Sequence, residues 1–426
     1  MNNQAGQHDE EPAARSTFAL LRRNPRLLAF MVSQGLAAIA LGALLVARIE
    51  FATQAFGNEV GIGTLAVTFS IAAAVISIPA GMLVDRANPR VILLISMAVI
   101  GVSNISLGYL LVRGPVGVAL LVGGAVLEGL ATGFALPAML KTQAALVDAH
   151  SRGAAEIANL LRLCIGGLIG SLLARLIPDS AAVVLASGAL IVIAGCTSFV
   201  IASPAVFRSQ RGVTLWESVS QVVPRLRADA PLTRAVVADL VMRVVVPTLL
   251  LPLFIVDRDI NQSAAKVLAA GTIGVLIGSL TLAHFGVSGR MRRPLVVSFV
   301  GYLVAIALGG LLLRNDWLIG EGLPQIMLLG FIVAGCAFSA YGTSALTALV
   351  QQRSPDDIRG RLAGLLAVPR LVLQALASLI ATALITVGNS HYFTVGLAVV
   401  TLLALTALLW FKRIDQHDAQ ALSVGR

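Results

Sequence analysis

Five ionisable residues stand inside stretches that are otherwise almost wholly apolar: Glu128, Arg162, Asp239, Arg243 and Arg370. A charge at hydrocarbon depth costs about 3 kcal/mol on insertion scales, so such groups face a cavity or one another and carry function. Glu128 is the candidate for proton coupling, because a carboxyl in a partly dry cavity can trade a proton against substrate or a cation. The alternative is a permanent ion pair with Arg162, whose position in its own stretch implies a similar depth. Asp239 and Arg243 lie four residues apart on one helical face and can neutralise each other. Arg162 and Arg370 then remain as cations, and two guanidiniums facing a cavity favour an anionic or carbonyl-rich substrate through bidentate hydrogen bonds. Gln34 and Gln374, with Asn104, Asn159 and Tyr341, either add polar contacts to that cavity or serve as glue between helices. Arg48 and Glu50 read as residues near the outer end of the first span that snorkel to the interface.

The elements that must hold these residues follow from composition. At 57% hydrophobic and 12% charged residues, the 426-residue chain is too apolar for water to be its solvent. Apolar runs of about 20 residues, long enough to cross a hydrocarbon core of about 30 Å, recur along the whole chain. They lack the period-2 alternation of barrel strands, so they are helices, because lipid offers no partner to an open backbone. The expected spans are 27–50, 60–84, 91–112, 116–140, 153–177, 181–203, 233–256, 264–285, 294–313, 324–350, 362–386 and 390–412. The fold class is therefore an all-α polytopic membrane protein with twelve transmembrane helices.

A net charge of +10 invites a nucleic-acid reading, which the placement of the cations excludes. Arg15, Arg22, Arg23 and Arg26 precede the first span, and further cations follow every second span: Arg86 and Arg90, Lys141 and Arg152, the arginines from Arg208 to Arg234, Arg290 to Arg293, then Arg353 to Arg361. The opposite loops carry little beyond Arg113, Arg258 and Arg314. Both termini are thus expected in the cytoplasm. The division is a tail 1–26, a six-helix half 27–203, a central loop 204–232 with an amphipathic stretch from Leu215 to Arg227, a second half 233–412 and a tail 413–426. An internal echo supports it. Ala145-Leu146-Val147 and Ala348-Leu349-Val350 each end the fourth span of a half, and each precedes a span entering with paired leucines, Leu160-Leu161 and Leu365-Leu366. Such repeats mark transporter folds that hold substrate between halves near the midplane.

The loop after the second span reads Gly81-Met82-Leu83-Val84-Asp85-Arg86-Ala87-Asn88-Pro89-Arg90. It resembles the signature Gly-x-Leu-x-Asp-Arg-x-Gly-Arg-Arg of the major facilitator superfamily, with Asn88 and Pro89 standing where that signature has Gly and Arg. The resemblance implies that Gly81 allows close helix approach. It also implies that Asp85 accepts hydrogen bonds at a neighbouring helix N-terminus, and that Arg86 and Arg90 pair across a cytoplasmic gate. The plainer reading is that these are topogenic charges only. The stretches from Arg353 to Arg361 and from Asp229 to Ala235 are similar to the siderophore and macrolide exporter branch. Gly166-Gly167-Leu168-Ile169-Gly170-Ser171 resembles the superfamily's antiporter motif without its Pro, so Gly166 and Gly170 are either that motif or a small-residue packing face.

What the resemblance implies is a proton-driven exporter of small amphiphilic compounds, drug or siderophore-like, working by alternating access as a monomer in a bacterial inner membrane. Protons are the expected coupling ion and the lipid bilayer the other partner. An importer or lipid flippase of the same fold, a transport-inactive receptor and a membrane-embedded enzyme are the alternatives. Against the enzyme, His8, His150, His284, His391 and His417 fall in tails, loops or span ends and form no metal-binding set. No phosphate-binding Gly-x-x-x-x-Gly-Lys-Ser/Thr loop occurs either. No cofactor and no metal are expected.

Overall fold

A computed structural model describes residues 17–56, 60–148, 151–201, 260–285, 296–305, 323–353 and 364–373, with single positions at 224, 233, 236, 237, 308, 362, 375, 376 and 379. Asp239, Arg243 and Gln374, most of the central loop, the stretch 354–361, the twelfth span and the C-terminal tail lie outside the described residues.

Among the described residues every regular element is a helix. In chain order these are α1 (Thr17–Arg23), α2 (Pro25–Phe56), α3 (Val60–Arg86), α4 (Pro89–Arg113), α5 (Val118–Ala144), α6 (Arg152–Leu176), α7 (Ser180–Ile201) and α8 (Ile260–Phe285). They are followed by α9 (Val296–Ala305), α10 (Leu323–Arg353) and α11 (Gly364–Leu373). Seven helices among the described residues, α2 to α7 and the 329–348 core of α10, are long and apolar enough to cross a membrane.

The entry to the first span differs from the expected polar tail. A short helix, α1, occupies Thr17–Arg23, and Asn24 breaks the chain there: its Oδ1 accepts from Leu27 N at 3.0 Å and its Nδ2 donates to Leu146 O at 2.7 Å. Pro25 then opens α2 at the position where a missing N–H costs nothing. α2 runs 32 residues, about 48 Å at ~1.5 Å per residue, and continues to Phe56 rather than ending at position 50.

The turn between α3 and α4 shows how Asn88 and Pro89 replace the glycine of the family signature. Asn88 takes an extended conformation, φ −72° and ψ 111°, and its Oδ1 accepts from Arg90 N at 3.1 Å, while Pro89 starts α4. An N-cap followed by N-terminal proline makes the same tight reversal without a left-handed residue.

Lipid gives helices no hydrophobic reason to associate, so packing depends on close backbone approach at small residues. Between α2 and α6 that approach is extreme. A methyl group at Gly170 would meet the carbonyl of Ile39 and Ala43 N, one at Gly166 would meet Ala38, and one at Gly42 would meet the backbone of Gly167. Gly166 and Gly170 thus form the packing face against α2. Ser171 Oγ donates to Gly167 O at 2.8 Å and Gly42 O at 3.3 Å in the same seam. Glycines four apart recur in two further pairs: Gly129 and Gly133 of α5 lie on α3, and Gly274 and Gly278 of α8 lie on α10.

α6 also packs on α8 and α10, where Ile157 and Leu161 cluster with Leu282, Ala283, Ala345 and Ala348. α11 meets α3 at Gly364, which abuts the Ser77 carbonyl and the Cα of Gly81. Both contacts lie toward the end of the bundle that carries Asp85, Lys141 and Arg152.

Replacing Gly170 by Val is expected to cost about 1–3 kcal/mol through overpacking of the α2–α6 seam. Gly167→Ala, where an added Cβ has nothing within 4 Å, should leave stability near that of the parent. Thermal unfolding in detergent compares the two.

Candidate functional site

Three spanning helices converge on one carboxylate. Glu128 of α5 is only 5% exposed. Its Oε2 pairs with Arg48 Nη2 of α2, and its Oε1 accepts from Asn104 Nδ2 of α4 at 2.8 Å. Asn104 is fully buried, is braced by Ile100 O at 2.9 Å, and offers its Oδ1 to Arg48 Nη2 at 3.4 Å. Each oxygen of the buried acid therefore has its own donor, and the cation is the more exposed partner, with 32% of its side chain accessible against 6% for Glu128.

This corrects two expectations. The partner of Glu128 is Arg48, not Arg162, and Arg48 turns into the bundle instead of snorkelling outward. The length of α2 is the reason. Because the helix extends to Phe56, position 48 lies eight residues, about 12 Å, inside its end. Arg162 sits at another level: its Cγ is 3.8 Å from where a Gly35 Cβ would stand. Gly35 is 13 residues, about 20 Å, along α2 from Arg48.

Arg162 has its own partners. Nε and Nη2 donate to Asn159 Oδ1 at 3.1 and 2.7 Å, Nη1 donates to Gln34 O at 2.5 Å, and Nη2 lies 3.7 Å from Met139 Sδ. Among the described residues no carboxylate forms an ion pair with it. Arg370, half-buried on α11, also has an interaction partner. The picture of an unengaged Arg162 guanidinium is therefore replaced by a held one. The Gln34 side chain is buried at 4% exposure between α2, α4 and α7, donating to Ser198 Oγ at 2.6 Å and Met97 Sδ at 3.4 Å. Ser33 adds a bond to Ala194 O at 2.9 Å beside Thr197 and Ser198, so this polar group joins helices.

At the other end of the bundle, Asp85 is buried beside Lys141 of α5, whose Nζ donates to Asp85 Oδ1 at 2.9 Å and to Val84 O at 3.0 Å. Arg86 is exposed, and the Arg90 guanidinium lies over the Phe199 ring of α7 at 5.3 Å. The lysine is a partner that sequence reasoning treated only as a topogenic charge. Its signal was present: Lys141 closes the helix that pairs with α3. Among the described residues no group of three or more His, Cys, Asp or Glu is placed to hold a metal.

Residues 30–316 match the family model described as Major Facilitator Superfamily. No curated protein sequence matches the chain significantly. The fold is similar to the crystal structure of the human organic anion transporter MFSD10 (TETRAN), at TM-score 0.63 and 15% identity over 90% of this chain and 99% of that one. It is also similar to a bacterial homologue of iron transporter ferroportin in outward-facing state, at TM-score 0.67 and 14% identity over 91% of this chain and 99% of that one. The same description with soaked iron gives TM-score 0.66 and 14% identity over 90% and 98%. At these identities the likeness concerns the fold alone. The match over residues 30–316, with the multi-pass helical fold, makes the chain a member of the Major Facilitator Superfamily, a family of transmembrane transporters.

Proposed function

We propose that the protein is a proton-coupled exporter of small amphiphilic compounds and that Glu128 is the group that exchanges the proton. The observation that carries this reading is a buried carboxylate bridged by Asn104 and by a partly exposed Arg48. A cationic amphiphile that takes the place of Arg48 on Glu128 competes with the proton there, and competition for one site is what couples an outward substrate flux to an inward proton flux. Asp239, Arg243, Arg370 and Gln374 belong to the same cavity in this reading, and Arg162 orders its wall through Gln34 O and Asn159.

The reading includes two six-helix halves, 27–203 and 233–412, with both termini in the cytoplasm of a bacterial cell and the monomer as the working unit. Recurrent glycine pairs support the halves, since α3 with α5 and α8 with α10 hold the same rank in the two sets of spans. On that orientation the Asp85 end is cytoplasmic. The packing of Gly364 on α3 and of α6 on α10 closes this end, which corresponds to an outward-facing conformer. The buried Asp85–Lys141 pair fixes α3 to α5 beside the gate.

A second reading is favoured by the greater exposure of Arg48. If the substrate is an anion that binds the guanidinium, protonation of Glu128 assists binding, and proton and substrate travel together as in an importer. Substrate binding to purified protein separates the two. Acidification lowers the apparent affinity for a cation that competes at Glu128, and raises it for an anion that binds the released Arg48.

Glu128→Gln keeps an acceptor for Asn104 and removes the exchangeable charge. In proteoliposomes it should lose at least about tenfold of proton-driven accumulation, and substrate binding to the purified variant should lose its dependence on pH. Full proton-driven transport by this variant would refute the coupling role. In the closed gate the position of a Gly153 Cβ is 3.7 Å from Ala348 Cβ, close to the ~3.8 Å of a disulfide. With Cys164, Cys196 and Cys336 replaced, Gly153→Cys/Ala348→Cys should cross-link on oxidation, halt transport, and recover it on reduction. Undiminished transport by the cross-linked protein would show that this contact does not open.

A further inference from the structure

A long apolar groove runs down the outside of the bundle between α4 and α5. Its larger part has a volume of about 750 Å³ and its smaller part about 310 Å³, and the two share Ile95, Val99 and Leu127. Along α4 the lining runs from Ile92 to Leu110, 18 residues or about 27 Å, which is close to the ~30 Å thickness of a hydrocarbon core. On α5 the depression exists because Gly123 and Gly124 have no side chain, and a Cβ at either would point into open space. These glycines therefore differ from Gly129 and Gly133 on the same helix, which are filled by α3. They leave a trough where the others make a seam.

One end of the trough carries a positive charge. Arg113, the last residue of α4, stands three residues past Leu110. Its guanidinium lies over the Tyr109 ring at 4.5 Å and donates from Nη2 to the Tyr109 hydroxyl. Among the described residues no carboxylate pairs with it. Tyrosine at a span end sits at headgroup level, and here it holds the guanidinium in place while leaving most of its five N–H donors for another acceptor.

We propose that this groove is a binding site for an anionic phospholipid, with an acyl chain lying between α4 and α5 and the headgroup phosphate on Arg113. Both walls are membrane-spanning helices, so the medium against the groove is lipid, and an apolar trough of this volume does not stay filled with water. The fixed cation selects the headgroup through charge-assisted hydrogen bonds.

Native mass spectrometry of the full chain, delipidated and then titrated with phosphatidylglycerol and phosphatidylcholine of identical acyl chains, tests the site. The parent should bind one phosphatidylglycerol about fivefold more tightly than phosphatidylcholine. Arg113→Gln should bring that ratio to about one without abolishing binding. Gly124→Leu fills open space and raises helix propensity, so it should fold; it is expected to remove the tight lipid of either kind. An unchanged preference in Arg113→Gln, or unchanged occupancy in Gly124→Leu, overturns the proposal. So does a parent that runs as a dimer which Gly124→Leu dissociates, since the groove would then be filled by a second copy.

Discussion

The backbone contact between α2 and α6 is the constraint on which the other arrangements depend. Hydrocarbon gives no reward for bringing two apolar helices together, so association must come from dispersion contacts and hydrogen bonds available only at short range. Ala38 and Gly42 on one side, Gly166 and Gly170 on the other, bring the chains so close that a methyl group would strike a carbonyl. That proximity fixes the rotation of α2, and α2 takes part in two guanidinium contacts. Its Arg48 reaches Glu128, and its Gln34 carbonyl receives Arg162. A rotation of α2 by one residue, about 100°, would remove both.

The acids show a common economy. Among the described residues Glu128 and Asp85 are each buried and each paired with a cation from a neighbouring helix that also bonds a second oxygen, Asn104 Oδ1 in one case and Val84 O in the other. Removing one member of such a pair leaves an uncompensated charge, with a cost of about 3–5 kcal/mol. The pairs differ in access. Lys141 has 16% of its side chain exposed and Arg48 twice that, so the pair at Glu128 is the more open to a competing ion. The two pairs thus use the same chemistry and differ in how far solvent reaches the cation.

Sequence disclosed the described spans because a hydrocarbon solvent imposes length and composition on them directly. It disclosed Glu128 as an intramembrane acid and Asp85 as part of a helix-to-helix motif for the same reason, since a charge in an apolar run is conspicuous. Partners were less legible. Arg48 looked like an interfacial residue because apolarity fades near position 50, while the helix itself continues to Phe56. Asn104 and Lys141 are of types that serve many structural purposes, and only helix rotation shows that both meet a carboxylate. Gln34 illustrates the converse: a polar residue on a presumed cavity helix faces α4 and α7, because its helix has several packed sides and sequence does not say which is turned inward.

The nature of the contacts also separates what is held from what can move. Within α2 to α7 the closest approaches are between glycines and backbone, reinforced by hydrogen bonds such as Ser33 to Ala194 and Ser171 to Gly42. Where α6 meets α8 and α10, aliphatic side chains do the packing, with Ile157 and Leu161 against Leu282 and Ala345. Separating that second interface breaks no glycine seam, but it would bring the aliphatic cluster into contact with water entering the opening. Each Å² so exposed costs about 25 cal/mol, which favours the closed arrangement until a ligand or proton binds the open one more tightly. The contact of α6 with α8 and α10 is therefore a hydrophobic one, set at the same end as the Asp85–Lys141 pair and the close backbone approach of Gly364 to Ser77.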